Sequence, residues 1–273
     1  LSYMKPAAPI SLLLILCLPS CITSFHLPHP PTNPEPTKGS EFYKTAATFN
    51  WKERDSLFLE RFENGSTPKK YFKFKRIHFT YTDSLQKKHS IQFFTAKDYA
   101  IIGSNQDWAR VPLTPIAAQK MADKLNCFLP TRKLVDIIHQ HSKLKLEPIP
   151  MYAFRDSTVT MWQHHLMIEG QRKGRRGLIS GIKKDIVICS INALKNKQNR
   201  VAIYGWHKSD GKPIQPLYTG HVNWYADYSH GARMIYRKIK VDHKWIDYTS
   251  LLKDPLLYHA ISDEEGEMML QYQ

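Results

Sequence analysis

Only four cysteines occur in 273 residues, and no two of them stand in a C-x-x-C. That composition excludes a disulfide-built scaffold and argues against a zinc–thiolate site. No H-E-x-x-H is present, so the chain lacks the helix-borne zinc motif of the common metalloproteases. No G-x-S-x-G is present either, which removes the nucleophile elbow of the α/β-hydrolases. No nucleic-acid-binding motif and no internal repeat is found. Acidic residues are scarce: 24 Asp and Glu stand against 39 Lys and Arg, a formal net charge of +15. A chain so basic favours anionic partners, and without a recognition motif nucleic acid is the least expected of them.

Apolar residues make up 42% of the chain and aromatics 12%, enough for a sizeable core. The N-terminus reads as an export signal. Lys5 is a short positive region, and Ile10–Leu18 is an apolar run too short to span a bilayer. Leu18-Pro19-Ser20-Cys21 follows and resembles a bacterial lipobox, with proline unusual at its position. That resemblance implies a signal peptide over 1–20, lipidation of Cys21 and a lipid bilayer as the first partner. It would make the protein an exported lipoprotein of the bacterial cell envelope. Residues 21–40, rich in Pro, Thr, Ser and Asn, read as a flexible tether. A single domain is expected over 41–273.

Within that domain the pattern is strands, then helices, then strands. A helix is expected over 51–64, and the alternation in 71–83 predicts a strand. Thr114-Pro115 and Thr131 read as helix caps. The two helices they open, closely linked, are expected to form a helical hairpin. "DIVICSI" and "RVAIYGWH" read as buried strands, and 232–248 as a hairpin turning near Asp242-His243. The fold class expected is α+β, with antiparallel strands and a helical hairpin.

Histidines gather in the second half, and His207, His221 and His230 fall at strand ends, where side chains are presented to ligands. Three chemistries compete. His207, His221, Asp227 and His230 could hold a zinc ion. This order of His and Asp is similar to that of the lysostaphin and D-Ala-D-Ala peptidase group. However, five residues lie between His221 and Asp227 where that group has six, and no H-x-H follows, so its roles are not carried over. A nucleophile reading takes Ser229 or Cys127, with His207 or His221 as base. The order of Cys127 and the later histidines fits the plan of papain-like and NlpC-like wall hydrolases only loosely. The third reading is an acid–base cluster of His207, Asp227 and His230, then His221, Lys184 and Asp185. Trp206, Trp224, Tyr225, Tyr228 and Arg233 would line its pocket.

The segments 107–136, "VAIYGWH" with "PIQPL", and "YADYSHGARM" together resemble a group of secreted bacterial proteins and lipoproteins of unassigned activity. The resemblance spans about residues 95–265 and implies one continuous module without naming a reaction. The expected function is a hydrolase acting on a cell-wall or extracellular polymer. The alternative is a non-catalytic lipoprotein that holds peptidoglycan or an anionic polysaccharide on the basic, aromatic strand at 71–81.

Overall fold

The computed structural model describes residues 24–273; the expected signal peptide and Cys21 lie outside the described residues. In chain order the elements begin with β1 (Ser24–His26), α1 (Gly39–Thr45), α2 (Trp51–Glu63), β2 (Lys73–Thr82) and β3 (Lys88–Thr95). Then come β4 (Ile101–Gly103), β5 (Trp108–Arg110), α3 (Pro115–Lys124), β6 (Cys127–Phe128), α4 (Arg132–His141) and β7 (Leu144–Lys145). α5 (Thr158–Arg172), β8 (Ile179–Ser180), β9 (Lys184–Val187), β10 (Ala202–His207) and β11 (Pro213–Tyr218) follow. The chain closes with β12 (His230–Gly231), β13 (Ile235–Tyr236), β14 (Lys238–Val241), β15 (Lys244–Asp247), α6 (Tyr248–Leu251) and α7 (Tyr258–Ile261). The fold is α+β.

Two sheets organise it. The larger runs β1-β2-β3-β13-β6, with β14 joining β3 and β15 joining β14; all its pairings are antiparallel. The smaller runs β11-β10-β9-β12, antiparallel except where β12 lies parallel to β9. Local chemistry places the helices where the sequence signals them. Asn50 and Glu53 close a reciprocal capping box on α2. Thr114 caps α3, with Pro115 at its first position, and Thr131 caps α4. The two cap threonines are fully buried, so their hydroxyls must find partners: Thr114 Oγ1 donates to Asp55 and Thr131 Oγ1 to the Ile261 carbonyl.

Two sequence expectations change. Between α3 and α4 the link is not a bare turn: Cys127 and Phe128 form β6 and pair with β13, so Cys127 sits on a strand. α3 packs on β6 and α2, while α4 packs on β10. The expected tether also differs. Ser24–His26 pairs with β2, Leu27 is buried, and the His29 ring stacks on Phe72 at 4.7 Å. Thr37 N–H donates to Ser66 Oγ, and Gly39 N–H to the Asp107 carbonyl. The proline-rich stretch carries few apolar residues, but Phe25 and Leu27 suffice to dock its described part on the domain.

Candidate active site

The two faces of the β9–β10 pair carry different polar groups. Asp185 lies opposite Tyr204 and Lys184 opposite Gly205. In an unbroken strand Tyr204 and His207, three residues apart, would point to opposite faces. They do not, because the strand carries an irregularity against β11 between Ile203 and Gly205. Gly205 has φ +102° and Trp206 φ +54°, a left-handed conformation that a tryptophan rarely adopts. Such a bulge inserts a step and re-aims the next side chain. Its result here is that Tyr204 and His207 both reach one carboxylate, Asp136 on α4.

His207 Nε2 donates to Asp136 Oδ1 at 2.7 Å, and Tyr204 Oη donates to both Asp136 oxygens at 3.0 and 3.1 Å. With Nε2 engaged by the carboxylate, Nδ1 is the ring nitrogen left for another partner. A methyl group at Gly205 would stand 3.3 Å from that nitrogen, so glycine leaves it uncrowded. His139, one helical turn beyond Asp136, stacks on the His207 ring at 4.5 Å and bonds Ser180 Oγ through Nδ1. Burial and the neighbouring His207 push His139 down to about 4, which keeps it uncharged at neutral pH. Burial first, and the Asp136 charge second, hold the Tyr204 phenol well above its ordinary value, so it stays a donor. A cleft of about 440 Å³ opens on this group, and Lys145, Ser209 and Asp210 also line it.

The other side of the sheet carries Asp227, His230, His221 and Lys184, without His207, while Asp185 stays on the His207 side. Asp227 is enclosed. Its Oδ1 accepts from Ser229 N at 2.8 Å and Ser229 Oγ at 2.6 Å, and its Oδ2 accepts from Arg155 at 2.9 Å and Tyr225 at 3.3 Å. The bond to the backbone two residues on is an Asx turn. Despite burial, the favourable charge of His230 and the Ser229 bonds hold Asp227 down at about 2. His230 is fully buried, 4.0 Å from Asp227 and beyond hydrogen-bonding distance. Burial pushes it down to about 4. His221 is half-buried, its ring 4.5 Å from that of Tyr225. The Lys184 ammonium lies 5.1 Å over the Trp206 ring.

The structure therefore corrects the expected site in several places. His207 does not converge with Asp227 and His230. Asp185 faces away from Lys184 and accepts from the Tyr99 hydroxyl at 2.9 Å, with Arg233 Nε at 3.5 Å. Arg233 is no rim residue: it is buried and donates to the carbonyls of Ala96 and Ile179. Tyr228 is also buried, its oxygen accepting from Met151 N–H, and Trp206 is buried beside it. Only Trp224 and Tyr225 of the expected aromatics line an open cleft, a separate one of about 470 Å³ shared with Trp51. Ser229 is a turn residue. Cys127 is buried and its thiol is pushed well above the ordinary range, so it offers no thiolate. Among the described residues no group of three or more His, Cys, Asp or Glu side chains could hold a metal ion, so His207, His221, Asp227 and His230 do not assemble as zinc ligands.

Asp136 and His139 were missed. They stand three apart on α4 with Gln140 beside them, a polar stripe next to the apolar one, and an i, i+3 Asp–His pair is the signal that marks it.

The "SHGAR" segment has its own structural logic. A methyl at Gly231 would stand 2.4 Å from Tyr99 Cδ1 and 2.7 Å from Lys183 Cβ, both in buried side chains. Gly231→Ala is therefore expected to overpack the core and cost about 1–3 kcal/mol, read as a lower urea midpoint at unchanged slope.

Comparison with known proteins finds no family model that matches the chain, and no curated protein or solved structure significantly similar to it.

Proposed function

We propose that the protein is a hydrolase of the bacterial envelope that acts on an extracellular or cell-wall polymer at the Asp136–His207 cleft. The observation that carries the reading is the 2.7 Å Asp–His bond in the lining of an open cleft. A carboxylate on Nε2–H fixes the tautomer and orientation of a general base. His207 Nδ1 would take a proton from the attacking water and return it to the leaving group. Asp136 stabilises the imidazolium between those steps, and the Tyr204 bonds hold that carboxylate in place. Lys145, at the cleft wall, supplies positive charge where negative charge develops. Export and lipid anchoring rest on the N-terminal sequence pattern. The test is release of soluble fragments from purified peptidoglycan and acidic polysaccharides by the protein and by Asp136→Asn. Release that disappears in the variant supports the reading, and release that persists unchanged sinks it.

A second reading, a polymer-binding lipoprotein, has one observation in its favour. A groove of about 560 Å³ on the larger sheet is lined by Arg76, Lys238 and Lys240 with Phe94, Tyr236 and Trp245, and by no carboxylate. Cations beside aromatic faces suit an anionic glycan. Retention of such polymers without turnover, insensitive to Asp136→Asn, would favour it.

A further inference from the structure

A small pocket of about 130 Å³, sharing no residue with the His207 cleft, lies where β5 and the end of α5 meet. Lys70, Lys97, Arg172 and Arg176 line it around the indole of Trp108. Three cations crowd that one ring: Lys70 Nζ at 4.2 Å, and the guanidinium carbons of Arg110 and Arg172 at 5.1 and 5.6 Å. The carboxylates present are already engaged. Asp98, in the pocket wall, has both oxygens held at 2.7 Å by Arg110, and Glu169 is 2.8 Å from the same guanidinium. Arg172 approaches them only at 3.8 and 3.4 Å. Five cationic side chains thus meet two carboxylates, and one buried arginine takes most of their capacity.

We infer that this pocket is a binding site for a tetrahedral oxyanion of the phosphate or sulfate class. Like charges held this close repel, and the indole face offsets only part of that repulsion. Lys70 and Lys97 are both held below their ordinary pKa. Burial comes first in each case; then Arg172 acts on Lys70, and Lys73 and Lys75 act on Lys97. An anion in the pocket would relieve both. A phosphate carries up to two charges and several acceptor oxygens, so it matches two lysines and two arginines better than a carboxylate with two oxygens. The volume falls below the roughly 300 Å³ at which pockets begin to hold drug-sized ligands, so only the anionic group itself would enter.

The test is calorimetric titration of the full chain with inorganic phosphate, in phosphate-free buffer at low salt. Glucose 6-phosphate, vesicles containing phosphatidic acid, and glucuronate are titrated in parallel. Saturable one-to-one phosphate binding is expected, with affinity at least tenfold weaker in Lys70→Ala and in Arg176→Glu, two surface positions whose loss removes like-charge repulsion and so does not lower the thermal midpoint without phosphate. Additional binding of the sugar phosphate or of the vesicles would identify the carrier of the group. The inference fails if phosphate shows no saturable binding at millimolar concentration. It also fails if both variants bind as the parent does, or if glucuronate binds as tightly as phosphate. None of these results depends on turnover at His207, so this inference and the hydrolase reading fail separately.

Discussion

Stability is expected to fall by several kcal/mol as the pH drops from about 7 to about 4, through the buried histidines. His230 titrates near 4 in the folded chain, as does His139, and His164 near 2, each pushed down chiefly by burial. An unfolded histidine takes its proton near 6.5. Between those values the unfolded chain binds a proton that the folded chain refuses, so the stability present above pH 6.5 is lost as the pH falls. At 1.36 kcal/mol per unit, His230 alone contributes about 3 kcal/mol to that loss by pH 4. Lys183, pushed down to about 7 by burial and by Arg110, acts with the same sign at higher pH, from its unfolded value near 10 down to 7. Asp227 adds a further loss below about pH 4, down to about 2. Other groups oppose them. His89 is raised by its bonds to Asp83 and Asp242, so its contribution is complete below about 6.5 and fades only as the pH rises. Asp185, pushed up to about 6 by burial, takes its proton in the fold before it does in the unfolded chain and so returns about 3 kcal/mol between pH 6 and about 4. Asp55 and Glu264, also raised by burial, act with the same sign, and the buried histidines together outweigh these groups. Urea unfolding at pH 7, 6 and 5 measures the slope, and His230→Asn should flatten it. A stability that is level or rising between pH 7 and 5 would show that these rings are not neutral in the fold.

Arg110→Met is expected to cost about 3–5 kcal/mol, the usual penalty for stranding the partners of a buried charge. The guanidinium is 1% exposed and binds Asp98 through two nitrogens, Glu169 through one of these and the His165 ring through the third. Its removal leaves Asp98, 14% exposed, with Arg172 at 3.8 Å and the Tyr99 N–H as its remaining partners. A second effect distinguishes this account from lost packing. Arg110 is also a cause of the low pKa of His165, after burial, so the His165 ring should titrate at higher pH in the variant. A double-mutant cycle with Asp98→Asn checks the pairing. Additive losses would mean that the two groups do not interact.

How far the sequence reached can be judged from individual residues. Caps at Thr114 and Thr131, the alternating strand at Lys73–Thr82 and the turn at Asp242 were legible because each depends on local geometry. His207 was legible as a strand-end histidine. Its partner was not, because Asp136 precedes it by 71 residues and is brought to it only by α4 packing on β10. The bulge at Gly205 and Trp206 was equally hidden: alternation places Tyr204 and His207 on opposite faces, and a left-handed tryptophan has no sequence signature. Residues 225–233, dense in His, Asp and aromatics, look like a site because buried polar networks and active sites use the same residue types. Only burial and saturated hydrogen bonds tell them apart, as they do for Asp227 and Arg233.

The central claim is that chemistry lies on the Asp136 side of the β9–β10 pair, while the Asp227 side holds the fold together. The most direct test compares polymer release and thermal midpoint for His207→Gln and Asp227→Ala. Glutamine keeps a donor for Asp136 and removes the base. The account predicts a loss of about 10²–10⁴ in rate at a nearly unchanged midpoint for His207→Gln. For Asp227→Ala it predicts a lower midpoint, with activity per folded molecule close to that of the parent. Full activity in His207→Gln, with a folded but inactive Asp227→Ala, would contradict it.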